Sequence, residues 1–296
     1  MSILEPGRAV LVWGNCQAAP LADLMRPALA AYGCEVLEVP PVFLVTPEEL
    51  AQLQEALPTL GALVSQPVRD EYRVPGCGTR QLADRLPADA PVVTVPVMFD
   101  SSAFPYQVNA HDGTGARIDA PLTDYHDLRA LVAAERGFDV DEALAWWPTP
   151  PAEAVRANAA ASVAELARRD GATDVGGHDL LGAGAMFTLS HPTNATLAAV
   201  AGRVLRALGV EADDPTPPER EYLGERRAPV EASVVDALGW PADVVRPDWV
   251  VRHRTVGARE VLAAHLELYA AHPDVVADSA VRHAGRRRTL GLDAQG

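Results

Sequence analysis

An α/β fold is the class this sequence predicts: a parallel sheet covered by helices on both faces in a Rossmann-like, three-layer arrangement. Residues 10–13 form a short unbroken apolar run, as in a strand buried on both faces, and further strand patterns recur at 62–65 and 92–97. Between them lie segments with apolar residues at three- and four-residue spacing, and that alternation is the pattern of a parallel sheet. From about Asp119 helical patterns dominate. The expected organisation is therefore a sheet domain over 1–118 and a mostly helical part over 119–296, packed on or intertwined with the sheet rather than independent.

The first strand rests on Val10, Leu11, Val12 and Trp13 and runs into Gly14-Asn15-Cys16-Gln17, where Gly14 permits a sharp turn. From Gln17 onward Leu21, Leu24, Met25, Ala28 and Leu29 form one apolar helical stripe, which puts Cys16 at or just before a helix N-terminus. Glu35 to Val39 reads as a second strand, stopped by Pro40-Pro41. Thr46-Pro47-Glu48-Glu49 opens a helix with an N-cap and a first-turn proline. Gln66-Pro67 ends the third strand, Thr79 is placed to cap a helix through Leu86, and the fourth strand follows. Further helices are expected over 124–134, 152–169, 194–208 and 257–271, with loops at 147–151 and 211–218. Ligands of open α/β sheets meet the carboxyl ends of the strands, which here carry Gly14 to Gln17, Gln66 and the stretch after Met98.

Composition narrows the function classes. At 296 residues and 48% apolar content the chain can fill a sizeable core. A net charge of −15 disfavours nucleic acid and anionic membranes as partners. No apolar run approaches membrane-spanning length, and the opening Met-Ser-Ile-Leu-Glu-Pro lacks the basic and apolar regions of an export signal. Cys16, Cys34 and Cys77 are too scattered for a disulfide framework, and no pair has metal-ligand spacing, so a cytoplasmic location with reduced thiols and no metal is expected. All basic residues are arginine, so an anionic ligand would be held by guanidinium forks, backbone amides or helix N-termini.

The residue types at the turn suggest acyl chemistry. At a helix N-terminus the unpaired N–H groups and the dipole favour a thiolate or a developing oxyanion near Cys16, although a small buried thiol behind a tight turn has the same sequence. Asn15, Gln17 and Gln66 are candidate oxyanion or carbonyl ligands, or else loop braces. His191 precedes Pro192, Thr193 and Asn194, which mark a helix start; an imidazole kept neutral there suits a general base, or else its ring caps or braces the turn. Asn194 is read as a substrate ligand or a helix cap, and His126, between Asp124 and Asp127, as lining a cleft or capping a helix. Arg69, Arg73 and Arg80 gather around Tyr72 and Gly76-Cys77-Gly78-Thr79, which reads either as a phosphate cradle or as a tight solvated loop. His178 lies beside Asp179, yet nothing in the sequence ties that pair to Cys16. His253, His265, His272, His283 and the run Arg286-Arg287-Arg288 read as a solvated tail.

Gly14-Asn15-Cys16-Gln17, Gln66-Pro67, Phe104-Pro105 and His191-Pro192-Thr193-Asn194 occur in that order, and together they resemble the WcbI family of polysaccharide-biosynthesis acyltransferases. The resemblance extends to about Leu208. It implies a coenzyme A-binding α/β protein, with intertwined N- and C-terminal parts, that moves an acetyl group onto a sugar hydroxyl. The acceptor does not transfer with the fold, and secondary-metabolite pathways are compatible with it as well as polysaccharide pathways.

The reading is thus a coenzyme A-dependent acyltransferase acting on a hydroxyl or amine of a sugar-containing or other small acceptor. Cys16 and His191 are catalytic; Gly14, Arg69, Tyr72, Arg73, Gly78, Thr79 and Arg80 hold the carrier. The partner is a small molecule or glycan, and self-association into a homo-oligomer is compatible with this. Direct attack with His191 as base and a relay through acyl-Cys16 both stay open. Two other classes compete: an esterase or thioesterase of the Gly-Asp-Ser type with cysteine as nucleophile, against which Thr188 stands where an acid is usual, and a coenzyme A-binding protein without turnover.

Overall fold

The computed structural model describes Leu4 and residues 8–293. Residues 1–3 and 5–7, most of the N-terminal stretch read against export, lie outside the described residues, as do 294–296. Two compact units make up the chain. The first comprises Met1–Phe99, Val163–Leu181 and Ser190–Leu223, and the second Asp100–Ser162, Gly182–Leu189 and Gly224–Gly296. A single division at 118/119 therefore differs from the observed one, because later helices bury their apolar faces within the first unit.

In the first unit β1 (Ala9–Trp13), β2 (Glu35–Leu37), β3 (Ala62–Ser65) and β4 (Val92–Thr94) form one sheet in the order β2-β1-β3-β4. All its pairings are parallel, with Leu11 opposite both Leu37 and Leu63, and Val64 opposite Val93. Val10 to Trp13 are all buried, as the unbroken apolar run requires of a strand covered on both faces. Leu11, Trp13 and Leu63 pack with Leu50, Leu53 and Leu57, the last three lying on and just after α2 (Pro47–Ala56). Alternation sends Val10 and Val12 to the opposite face. There α1 (Ala18–Ala31) packs against α7 (Asn194–Ala207). Thr46 caps α2 through a capping box with Glu49, as its sequence predicts.

Some boundaries move. The short helix α3 (Thr79–Ala83) ends before Leu86, because Arg85 and Leu86 tighten into three-residue turns ahead of Pro87. Its N-cap is Gly78, and the Thr79 hydroxyl is turned to other partners described below.

The second unit is mainly helical, with small antiparallel sheets. Its core gathers Leu128, Leu131 and Val132 of α4 (Leu128–Glu135), Leu262 and Tyr269 of α9 (Ala258–Ala271), and Val275 of α10 (Pro273–Arg282). The helix expected from residue 124 begins later. Leu122 and Asp124 have φ of 68° and 64°, His126–Asp127 pair with Gln107–Val108 as a ribbon, and Asp127 caps α4. A three-stranded antiparallel sheet built on Arg226–Arg227, Trp249–Val251 and Arg254–Val256 carries no clear sequence pattern, since its strands are two or three residues long. Among the described residues no helix is long and apolar enough to cross a membrane.

Candidate active site

Strand order fixes where a ligand can enter the first unit. From β1 the chain moves to one side to make β2 and then returns to the other side to make β3, so the connections diverge between β1 and β3. Such a switch point leaves a crevice at the carboxyl ends of the two strands. Trp13 is in register with Ser65, and the next residues along, Gly14 and Gln66, enter that crevice.

The turn after β1 is held by carboxamides. Asn15 Oδ1 accepts from the Gln17 backbone N–H at 2.9 Å, and Gln66 Oε1 accepts from Asn15 N–H at 2.8 Å. Gln17, only 2% exposed, donates its two amide hydrogens to the carbonyls of Met98 and Ser190, both at 2.8 Å. Its Oε1 accepts from Met98 N–H at 3.0 Å and from Gln66 Nε2 at 3.1 Å. Because Met98 O and Ser190 O can only accept, the amide orientation is fixed and the full complement of Gln17 is spent. Gln17 is thus a brace and not a free oxyanion ligand, which corrects one of its two sequence readings. Gly14 makes room for this brace, since a Cβ there would stand 2.4 Å from Gln66 Oε1.

Cys16 is half-buried, two residues ahead of α1, whose first turn closes through Ala18 N–H to Asn15 O. His191, also half-buried, follows the Ser190 carbonyl that Gln17 grips, and Thr193 caps α7 just beyond it. A single 2.8 Å hydrogen bond therefore joins the residue after Cys16 to the residue before His191. Asn194 serves elsewhere. Its Nδ2 donates to Pro218 O and Arg220 O at 3.0 Å each, and its Oδ1 accepts from Tyr222 N–H at 3.0 Å. It pins the 218–222 segment, and neither a substrate contact nor the cap falls to it.

The loop after β3 does not form the phosphate cradle its glycines suggest. Gly78 N–H is taken by Gln81 Oε1 at 3.1 Å and Thr79 N–H by Val68 O at 3.0 Å. Thr79 Oγ1 accepts from Val68 N–H, donates to Gln66 O and lies 2.9 Å from Ser65 Oγ. A Cβ on Gly78 would stand 2.5 Å from Asp70 Oδ1, so a carboxylate already fills that approach, and Arg80 is paired with Asp70 and Asp84. Arg80, Gly78 and Thr79 are therefore structural. Arg69 and Arg73 remain exposed, their guanidinium carbons 5.6 and 5.9 Å from the Tyr72 ring centre, with Arg73 also donating to Phe43 O.

The remaining histidines sort differently from their sequence readings. His126 belongs to the second unit and does not cap α4: its Nε2 donates to Ile118 O at 2.9 Å and its Nδ1 accepts from Tyr269 O–H at 2.8 Å. Burial holds this imidazole below its ordinary pKa. His265, read as solvated, is 2% exposed and hydrogen-bonded to Thr123 Oγ1, with burial lowering its pKa to about 4. Arg286 donates to Pro105 O and Phe104 O, and Arg287 pairs with Glu135 and Asp293, so the basic run is anchored in structure. In the first unit Asp179 takes Arg203, and His178 Nδ1 pairs at 2.8 Å with Asp170, a largely buried carboxylate, leaving an oriented and exposed imidazole. A Cβ on Gly177 would stand 2.6 Å from Met98 Sδ, so His178 borders the same carboxyl-end segment that Gln17 holds. Eight positions of separation hid the Asp170–His178 pair, while adjacency favoured Asp179.

These features define an α/β scaffold whose first strand ends, at the switch point of a parallel sheet, in a cysteine-bearing turn braced by carboxamides. The chain belongs to the WcbI family of polysaccharide biosynthesis enzymes, whose family model matches residues 9–213. Its fold is similar to a solved structure of WcbI, a polysaccharide biosynthesis enzyme, described as native protein without a disulfide bond between coenzyme A and one of its cysteines. The TM-score is 0.79 at 21% identity, covering 95% of this chain and 96% of that one. None of the curated proteins searched matches the chain.

Proposed function

We propose that the chain transfers a short acyl group from coenzyme A to a hydroxyl or amine of a sugar-containing or other small acceptor, with Cys16 and His191 at the reacting centre. The observation that supports the reading is the Gln17–Ser190 hydrogen bond, which joins the residue after Cys16 to the residue before His191. That a WcbI structure is described in terms of coenzyme A and a cysteine supports coenzyme A as donor.

Acyl transfer needs a base, a donor for the oxyanion and a grip on the carrier. His191 accepts the acceptor proton as its oxygen or nitrogen adds to the thioester carbonyl; the C–S bond then breaks and the carrier leaves as its thiol. Asn15 spends its oxygen on Gln17 N–H, and its Nδ2 hydrogens, with the second Nε2 hydrogen of Gln66, are the carboxamide donors available for the oxyanion. Arg69 and Arg73, exposed beyond the carboxyl end of β3, are the guanidinium groups left for the carrier's phosphates. In the relay variant Cys16 takes the acyl group first, a nearly thermoneutral exchange between thioesters.

Full-length protein mixed with acetyl-coenzyme A and a panel of sugar acceptors tests this. His191→Ala should lower turnover by about 10²–10⁴-fold. A mass gain of one acyl group that is lost in Cys16→Ala assigns the relay, whereas undiminished turnover by Cys16→Ala assigns direct transfer. Undiminished turnover by His191→Ala, or no acyl product with any acceptor, overturns the reading; release of free acid without an acceptor favours the thioesterase alternative.

A further inference from the structure

The second unit handles its buried arginines in two contrasting ways. Arg129 is 6% exposed and fully compensated: it pairs with Asp127 at 2.8 Å and Glu231 at 2.7 Å, and its guanidinium carbon lies 4.0 Å from the Tyr106 ring centre and 4.4 Å from that of Trp147. A buried cation treated this way is structural. Arg246 receives no such treatment. It is half-buried, its Nη1 is inaccessible and has no hydrogen-bond partner, and it makes no ion pair among the described residues. Its charged neighbour is another cation, Arg227, whose guanidinium carbon lies 4.5 Å from the Phe187 ring centre while that of Arg246 lies 6.0 Å from it. Desolvation and the like charge of Arg227 both pull the Arg246 guanidinium below its ordinary pKa.

An uncompensated, partly desolvated cation beside a second cation is costly in a chain of net charge −15, where carboxylates are plentiful. Nor is it a loose side chain, since its backbone is fixed. Arg246 and Val230 exchange reciprocal backbone hydrogen bonds at 2.8 and 3.0 Å, and Phe187 O accepts from Ala228 N–H at 2.8 Å. Arg246 and Phe187 both line a cavity of about 210 Å³, with Met186, Trp240 and Val244 as apolar walls. Two acids also line it, but Asp100 Oδ1 is taken by Ser102 and Ser162, and Asp243 is exposed, so neither neutralises Arg246.

We propose that this cavity binds the anionic group of a small organic ligand, a phosphate or carboxylate, on Arg246 with Arg227 adding attraction, while the ligand's less polar body lies against Trp240. The site is independent of the Cys16 reading and lies wholly within the second unit. A forked guanidinium in a low-dielectric pocket suits a planar or tetrahedral anion, and the ligand would supply the counter-charge the fold withholds.

Thermal-shift and calorimetric titration of the full chain at constant ionic strength tests it, with inorganic phosphate and glucuronate as probes and glucose as the neutral control. A saturable rise in melting temperature with phosphate or glucuronate but not glucose is expected, and the stronger response identifies the headgroup. Arg246→Gln should weaken that binding by about thirtyfold or more, and Arg227→Gln by a smaller factor. Without ligand, Arg246→Gln should melt at or above the wild-type temperature, because the charge it removes has no partner. No saturable response to either anion, a response that survives Arg246→Gln, or a ligand-free Arg246→Gln protein that melts several degrees lower or fails to fold would each overturn the proposal.

Discussion

Two turns in the first unit carry a cysteine within two residues of a glycine, and they have opposite outcomes. In Gly14-Asn15-Cys16-Gln17 the bracing comes from neutral carboxamides beneath the turn, and Cys16 stays half-buried at the crevice. In Gly76-Cys77-Gly78-Thr79 the turn consumes its own groups. Cys77 is fully buried, its Sγ donates to Tyr72 O at 2.7 Å, and its carbonyl accepts from the Trp13 indole at 2.9 Å. The lesson is that glycine and cysteine spacing marks a turn, while the destination of its hydrogen bonds decides whether anything is left for a ligand.

The sharpest test of that contrast is Gln17→Leu, which strands Met98 N–H, Met98 O, Ser190 O and Gln66 Nε2 at once. A loss of about 3–5 kcal/mol is expected, read as a lower midpoint in urea unfolding, since unpaired buried polar groups cost about 1–3 kcal/mol each and do not add fully. A variant within 1 kcal/mol of wild type, about the value of one hydrogen bond, would remove the brace from the account.

Thiol labelling comes next. Iodoacetamide should modify Cys16 in the folded protein, whereas Cys34 and Cys77 should react more than about a thousandfold more slowly, at the rate of cooperative opening. Equal labelling of Cys16 and Cys77 under native conditions would erase the difference between the turns.

Gly14→Ala is expected to cost about 1–3 kcal/mol, because the new methyl meets Gln66 Oε1 at 2.4 Å. If that reason is right, Gln66→Ala should relieve part of the strain, and the double variant should be less destabilised than the sum of the singles. Simple additivity in a double-mutant cycle would point to a different cause.

The smallest effect concerns pH. Burial raises the Cys77 thiol above its ordinary value of 9.0, so the unfolded chain releases this proton first as pH rises. Stability assignable to Cys77 is thus fully present below about pH 9 and declines above it. Comparing alkaline unfolding midpoints of wild type and Cys77→Ala should show a shallower decline in the variant; parallel curves would refute the assignment.

Much of the scaffold was readable from residues 8–98. The Val10 to Trp13 run, the stripe from Leu21 to Leu29 and the Thr46 cap depend on neighbours within a few positions, and each element formed where its pattern lies. The site was legible only in its residue types. Gln17 and Gln66 looked alike as donors, yet Gln17 is wholly spent, and Asn194 pins a distant segment. The second unit was least legible: His265 looks solvated in a polar tail but packs against Tyr269, His126 and Thr123, and the short strands around Arg226 and Val250 carry no alternation to read.

The sequence by itself determined the parallel α/β sheet, the turn that ends in Cys16 and the helix start behind His191, because local pattern and turn chemistry act over a few residues. Only the tertiary structure decided that Gln17 joins positions 81 and 173 residues away, that Arg80 is neutralised and that Arg246 is not. Hydrogen-bond capacity belongs to a side chain, but whether it is spent depends on partners that folding brings from elsewhere in the chain.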